Sequence, residues 1–512
     1  MTEYLFPLLQ LQRFYLPTVL VLLVWAIWRT VWRQDLAVGL ALYLGLVIVV
    51  DGFMNTGLFI PGLDKGSIRY SEVCAVFLLL HRPPATSGQA SRRTVLVLVA
   101  AYFTLLFASA MRADSMVAGI FEFRSIIVPQ IVALLVAMRG LATPADYRRF
   151  VLHVTALVLI IALFDFFDIF FDRWLLHSES LLTGKYFVNR NQGRFGSLFL
   201  NPNMLGAFTV LVFPVMFIWT LNEPSRWRRL YGWSGLLALV FCLVETQSRG
   251  PLIAFGIGLL ILAIGPCGGV SRTRRLGFLA ALVILFTACM PGFYDHAIQR
   301  FDEIDKEMAT DEARTRANVW VYARRAIADH PVLGIGFGEQ QFLTSMDAYG
   351  FREKYGEASL DNPHNSYLQM AVYAGIPVLA AFLLANLVLL WKAGRASWRR
   401  ADDQTAHTVF ALAVSNAGFL GTVYPDMHLF TRDVGPVYWV FFGLLLAVAI
   451  RPSKAPAEAK GTIEVSAAPS PARSALTFQG SWRAEGGMQP TAKAGPAIRG
   501  RGRTEAFEAR SD

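Results

Sequence analysis

The sequence predicts an all-α, polytopic membrane protein of about 12–13 transmembrane helices. One large outer helical loop and a disordered C-terminal tail complete the expectation. Three observations carry it. Of 512 residues, 54% are hydrophobic and only 16% are charged, against about 25% charged in a soluble globular protein. Apolar runs of nearly spanning length recur, as in Leu16 to Trp28 and Leu379 to Trp391. Basic residues collect in alternate short loops, as the positive-inside rule requires of a multi-pass chain.

In order along the chain, the candidate spans are 14–31, 36–51, 68–81, 94–111, 124–138, 150–171, 200–221, 230–246, 250–265, 276–291, 366–391, 407–424 and 434–450. The span at 68–81 is short and carries Glu72. Thirteen spans with a cytoplasmic C-terminus put the N-terminus outside; if the first two form one unit, both ends are inside. The N-terminus has Glu3, no basic lead and no small-residue cleavage site, so it reads as a first membrane helix rather than a removable signal peptide. The cytoplasmic loops hold Arg29 and Arg33; Arg82, Arg92 and Arg93; Arg139, Arg148 and Arg149; Arg226, Arg228 and Arg229; Arg272, Arg274 and Arg275; and Lys392, Arg395, Arg399 and Arg400. The loops between them, such as Asp51 to Arg69 and Pro425 to Asp433, are poorer in Lys and Arg. The net charge of +10 is thereby explained by topology, and nucleic acid is not an expected partner.

Three segments interrupt the helices. The outer loop Asp172 to Leu198 contains Gly184, Gly193 and Gly196. Residues 292–363 form the largest insertion, with helix signals from Asp311 to Asp329, and read as a small cap of short helices. The tail 451–512 is rich in Pro, Ala, Gly and charge, cannot bury enough apolar surface to offset chain entropy, and is expected to be disordered in the cytoplasm. Residues 1–450 therefore form one transmembrane domain. No internal repeat is visible, which weakens a transporter of duplicated halves. Cys74, Cys242, Cys267 and Cys289 are scattered without metal-ligand spacing, so neither a disulfide nor a zinc site is expected.

The motif richest in chemistry is Asp361-Asn362-Pro363-His364-Asn365-Ser366-Tyr367-Leu368. An Asp/Asn cap followed by Pro starts a helix and puts His364 in its first turn, where the helix dipole disfavours imidazolium. A neutral histidine there suits a general base; a polar marker of the membrane boundary is the plainer alternative. In Thr246-Gln247-Ser248-Arg249-Gly250-Pro251, Ser248 can cap the next helix. Arg249 then lies where unpaired N–H groups favour an anion and offers a fork suited to phosphate. Snorkelling to headgroups is the alternative, although positive charge is disfavoured on that side. Arg316 lies four residues before Trp320, on one helix face, as a second phosphate clamp or as a solvated charge stacked on Trp320.

His330-Pro331-Val332-Leu333-Gly334-Ile335-Gly336-Phe337-Gly338 lacks the strand and glycine spacing of a dinucleotide site and reads as a tight outer loop with close backbone approach. Arg194-Phe195-Gly196-Ser197-Leu198-Phe199-Leu200-Asn201-Pro202-Asn203 can cap a helix and present amides such as Asn203 to a sugar. His153, His81 and His407 have structural readings. His428, in Asp426-Met427-His428, competes with His364 for the role of base.

Gly196 to Asn203 with Leu205-Gly206, the Ser248-Arg249-Gly250 turn, Arg316 with Trp320, the Pro331 to Gly338 loop, and His364-Asn365-Ser366-Tyr367-Leu368 ending at Gly375 occur in this order. The ordered set, from about 190 to 390, resembles the O-antigen ligase and polysaccharide polymerase superfamily. The resemblance implies a glycosyltransferase at the outer face of a bacterial inner membrane. Its partners would be an undecaprenyl-diphosphate-linked glycan donor, a glycan or lipid A-core acceptor, and membrane lipids. It implies that Arg249, Arg316 and, as a weaker match, Arg194 bind the donor diphosphate, and that His364 acts on the acceptor hydroxyl. Asn203 and Asn365 are further candidates for substrate contact. No metal and no cofactor are expected: two arginines and a helix N-terminus could stabilise the leaving group, and one displacement would invert the anomeric centre. The cytoplasmic tail and a thirteenth span depart from the family pattern. A flippase without transferase activity is the alternative; it would call for polar residues near mid-membrane, where Asp165 and Asp168 are the clearest pair. Ligase and polymerase use the same donor; the length of the chain favours a polymerase.

Overall fold

The computed structural model describes residues 35–51, 68–80, 89–139, 143–171, 194–199, 201–266, 271–289, 311–351, 362–399 and 404–449, with a few single positions besides. Most of the candidate span 14–31, Gly184, Gly193, Cys267, His81 and the tail 451–512 lie outside the described residues, as does the side chain of Asp168. Among the described residues every regular element is helical, so the chain is an all-α polytopic membrane protein. The helices are α1 Leu36–Gly45, α2 Tyr70–Leu79, α3 Gln89–Met111, α4 Met116–Met138, α5 Pro144–Phe171, α6 Pro202–Asn222, α7 Arg226–Glu245 and α8 Arg249–Ile264. They continue as α9 Arg272–Cys289, α10 Asp311–Asp329, α11 Glu339–Ala348, α12 Ser366–Ala374, α13 Ile376–Arg399, α14 Gln404–Thr422 and α15 Val434–Ala449. Among the described residues, α3, α4, α5, α6 and α13 are long and apolar enough to cross a membrane; α1, α2, α8 and α15 are shorter and apolar.

A helix that is apolar all round belongs in the interior, and α6 and α15 sit there. Every residue from Val434 to Val448 is buried, and α15 packs on α4, α6 and α14. Several polar groups in this core are paired across helices, which offsets the cost of burying them. Trp439 Nε1 donates to Gln130 Oε1 (2.8 Å), Gln130 Nε2 donates to the Leu429 carbonyl (2.6 Å), and the Tyr438 hydroxyl donates to Asn386 Oδ1 (2.7 Å).

Pro129 interrupts α4. Proline has no N–H, so the Ser125 carbonyl one turn earlier loses its helical donor. The buried Arg69 supplies the replacement: its Nη2 donates to Ser125 O at 3.1 Å. In an apolar slab, where water cannot serve, such a repair is required.

The span expected at 366–391 is two helices. Gly375, at φ +86°, breaks the run between α12 and α13. The glycine-rich loop fills the break: Ile335 N donates to Val372 O (2.9 Å), Gly336 N to Tyr373 O (3.2 Å) and Ile376 N to Pro331 O (2.8 Å). The Ser109 hydroxyl from α3 also donates to Tyr373 O (2.5 Å). A Cβ on Gly375 would strike Val332 O, and one on Gly334 would strike Tyr373 O. The glycines are there because backbone approaches backbone.

The insertion docks by apolar spacing. Val319, Tyr322, Ala323 and Ala326 of α10 are buried, which is the i, i+3, i+4, i+7 pattern of one helix face, and α10 packs on α12. The start of α11 is held by Glu122, whose two carboxylate oxygens accept from Glu339 N (2.8 and 2.9 Å).

Candidate active site

Among the described residues, three that are not glycine have left-handed backbones: Ser197 (φ 47°), Gln247 (φ 47°) and His364 (φ 45°). Each lies in one of the three polar motifs read from the sequence. Such a conformation costs a non-glycine residue on the order of 1 kcal/mol or more and persists where surrounding contacts over-determine it. Here those contacts are visible. The Ser197 hydroxyl donates to Ile161 O (2.8 Å). Gln247 N donates to Val244 O (2.9 Å), and Ser248 N to the Thr246 hydroxyl (3.2 Å). His364 N donates to Asn362 Oδ1 (2.8 Å).

Asn203 ties the motifs together. Pro202 opens α6 and Asn201 caps it by accepting from Asn203 N (2.9 Å), which turns the Asn203 side chain into the gap between motifs. Its Oδ1 accepts from Arg194 Nη2 (2.7 Å) and from the Ser248 hydroxyl (2.7 Å). Its Nδ2 donates to Asp426 Oδ2 (2.7 Å). Arg194 Nε also donates to Thr246 O (3.2 Å). Ser248 occupies the cap position of α8 as expected, but its hydroxyl serves Asn203 and makes no capping bond. Arg249, half-buried, is the first residue of α8. Behind it, a Cβ on Gly250 would meet Pro425 Cγ at 2.6 Å, and one on Gly206 would meet Pro251 at 2.7 Å. These two glycines let the starts of α6 and α8 close on each other and on the Pro425-Asp426 loop.

His364 does not lie in the first turn of a helix. Asn365 is the cap of α12, accepting from Tyr367 N (2.9 Å) and Leu368 N (3.0 Å). His364 stands one residue before it. The side-chain oxygen of Asn365 is thus committed to the helix, and the residue is 2% exposed. His364 is half-buried with Nδ1 3.5 Å from Asp426 Oδ1. The backbone at Asp426 is fixed from the other side: Ser366 N and its hydroxyl both donate to Asp426 O (3.1 and 2.9 Å). Burial alone would push the Asp426 carboxyl up. The adjacent His364 and the charge of His428 outweigh it and hold Asp426 well below the usual carboxylate range. His428, the rival base, is only 1% exposed. Burial pushes its imidazole down against the pull of Asp426.

Arg316 reaches the site through its helix. One turn on, Trp320 Nε1 donates to the Pro363 carbonyl (2.8 Å) and its ring meets Tyr424 edge-on at 6.1 Å. The face of α10 that carries Trp320 thus rests on both loops that hold His364 and Asp426, with Arg316 half-buried a turn away.

The structure therefore joins Arg194, Asn203, Ser248, Asp426 and His364 in one chain of contacts, starts α8 at Arg249 beside it, and lays α10 across it. Asp426 is the member that sequence reading did not single out. The only hint was an acid after proline in an arginine-poor loop. Among the described residues, no three His, Cys, Asp or Glu side chains are grouped as a metal ion would need. A family model described as O-antigen ligase matches residues 234–383, a stretch that takes in Arg249, Arg316 and His364. No curated protein matches the chain.

Proposed function

We propose that this chain, whose residues 234–383 match a family model described as O-antigen ligase, is a membrane glycosyltransferase of that broad kind and moves a glycan from undecaprenyl diphosphate to an acceptor hydroxyl at the periplasmic face of the inner membrane. The observation that carries this reading is the unbroken path from Arg194 and the Ser248-Arg249 turn, through Asn203 and Asp426, to His364. Cationic groups stand at one end of it and an imidazole beside a carboxylate at the other.

The roles follow from the contacts. Nδ1 of His364 lies 3.5 Å from Asp426 Oδ1; with the proton on that nitrogen, Nε2 is the acceptor. The attacking hydroxyl gives its proton to Nε2 as its oxygen bonds to the anomeric carbon. The bond from that carbon to the diphosphate oxygen breaks, and the electron pair leaves with the pyrophosphate. Arg249 at the positive end of α8, with Arg316 and Arg194, would stabilise that charge. Attack from the side opposite the leaving group inverts the anomeric centre. Asp426 orients the imidazole and offsets the charge it acquires. Asn203 sets Asp426, Arg194 and Ser248 at fixed separations, and Asn365 holds the helix behind His364.

Purified protein in vesicles with an undecaprenyl-diphosphate glycan and an acceptor glycan tests the proposal. His364→Ala and Arg249→Lys should each reduce new glycosidic bond formation by at least about 100-fold while the protein stays folded, since general-base catalysis contributes roughly 10²–10⁴-fold and Lys lacks the guanidinium fork. Normal transfer by either folded variant would refute the roles. Donor crossing the bilayer with no new bond would mark a flippase instead.

A further inference from the structure

From Pro331 to Gly338 the insertion carries only Pro, Val, Leu, Ile, Phe and Gly. The stretch follows the charged helix α10, and its tip is turned outward: Val332 is 61% exposed and Leu333 36%. An apolar tip on a polar cap would be a poor surface in water. Its position along the molecule is fixed by backbone contact. Ile376 N donates to Pro331 O at 2.8 Å, and Gly375 lies so close to Val332 O that no Cβ fits. The tip is therefore level with the first residue of α13.

α13 supplies a ruler. Ile376, Leu383, Leu387, Trp391 and Trp398 are exposed apolar side chains on this spanning helix. Trp391 is followed at once by Lys392 and then by Arg395, whose guanidinium lies 5.6 Å from the Trp391 ring. That is the aromatic and cationic edge of the arginine-rich side. From Trp391 back to Ile376 is fifteen residues, about 22 Å at 1.5 Å per residue. The hydrocarbon slab is about 30 Å thick. Counted from Trp391, the far edge of the slab lies beyond Ile376, and any tilt of α13 sets Ile376 deeper.

We infer that the turn Pro331–Leu333 is an interfacial wedge whose side chains are buried among the acyl chains of the leaflet on the arginine-poor side. The exposed row of α13 continues into it without a polar gap. The wedge holds the C-terminal end of α10 down on the bilayer, and α10 is the helix that carries Trp320 and Arg316. On the transfer reading proposed above, this keeps Arg316 at the depth where the diphosphate of a lipid-linked donor lies. Insertion of the turn itself does not depend on that reading.

The test uses the full chain, otherwise unaltered, in phospholipid vesicles. A photoreactive aryl-ketone residue replaces Leu333 in one protein and the exposed Arg324 of α10 in another. After irradiation, mass spectrometry should find phospholipid attached through its acyl chain at 333, several-fold above the level at 324. Attachment at 324 alone, at both positions alike, at neither, or through the headgroup only overturns the inference. None of these outcomes depends on whether the protein transfers glycan, so a failure here and a failure of the proposed reaction are separate results.

Discussion

Asn203 and Asp426 stand 223 residues apart in the chain and are joined by a 2.7 Å hydrogen bond from Nδ2 to Oδ2. An uncharged amide suits this arrangement without any change of protonation. It must donate to a carboxylate with one atom and accept from a guanidinium and a hydroxyl with the other.

Asn203→Asp sets two carboxylates against each other. It should lower stability by about 1–3 kcal/mol, as does a lost bond in a buried site. Asp426→Asn should cost a similar amount. In the double exchange the donor and acceptor trade places, and thermal unfolding in detergent should recover most of the loss. Glycan transfer should not recover, because the negative charge beside His364 is gone. Recovery of both would show that Asp426 serves the fold alone.

Asp426 also predicts an acid limit. Its carboxyl is held below the ordinary range, so the stability it contributes is fully present above about pH 4, the unfolded value. That contribution is lost as pH falls through the depressed folded value. Unfolding temperature measured from pH 6 to pH 3 should fall steeply only below about pH 4, and Asp426→Asn should remove part of that fall.

Arg69 and Pro129 should be coupled. Arg69→Met leaves the Ser125 carbonyl without a donor, at a cost of about 1–3 kcal/mol. Pro129→Ala returns an N–H to the helix and supplies that donor from within. Arg69→Met should therefore cost clearly less in the Pro129→Ala background, and a double-mutant cycle reads the difference. Additive effects would mean that the guanidinium acts through charge alone.

Gly375→Ala should be severe. The backbone is left-handed and a Cβ would strike Val332 O, so losses of more than about 2 kcal/mol and poor yield are expected. Gly394→Ala, in the same run, meets nothing within 4 Å. It should be neutral or stabilise by about 0.5–1 kcal/mol. Comparing the two by thermal shift tests whether the break is required.

The helices were largely readable because apolar runs and arginine clusters are local signals, and α6, α8 and α15 begin and end within two residues of expectation. The break at Gly375 was not. The apolar pattern runs straight through it, a single glycine is tolerated in helices, and only the distant residues 331–338 show where the open carbonyls go. His364 was displaced for a related reason. Asn362 and Asn365 are equally good caps in sequence, but Asn362 accepts from His364 N while Asn365 accepts from Tyr367 N and Leu368 N, the free N–H groups of the first turn of α12. The site residues stood out where several polar types clustered. Asp426 did not, since a lone loop carboxylate has no spacing to mark it. Asn203 was expected to face a sugar, yet three of its bonds are already made within the protein.

The loop that seals the gap at Gly375 precedes it in the chain, and Ser109, the third donor to those carbonyls, comes earlier still. During synthesis, therefore, the partners of the discontinuity are already made when α12 emerges from the ribosome. The half-helix can enter the lipid with its exposed oxygens matched at once rather than waiting for a later segment. The order of these pieces along the gene is thereby tied to biogenesis, and a circular permutation that placed 331–338 after α13 would be expected to stall insertion.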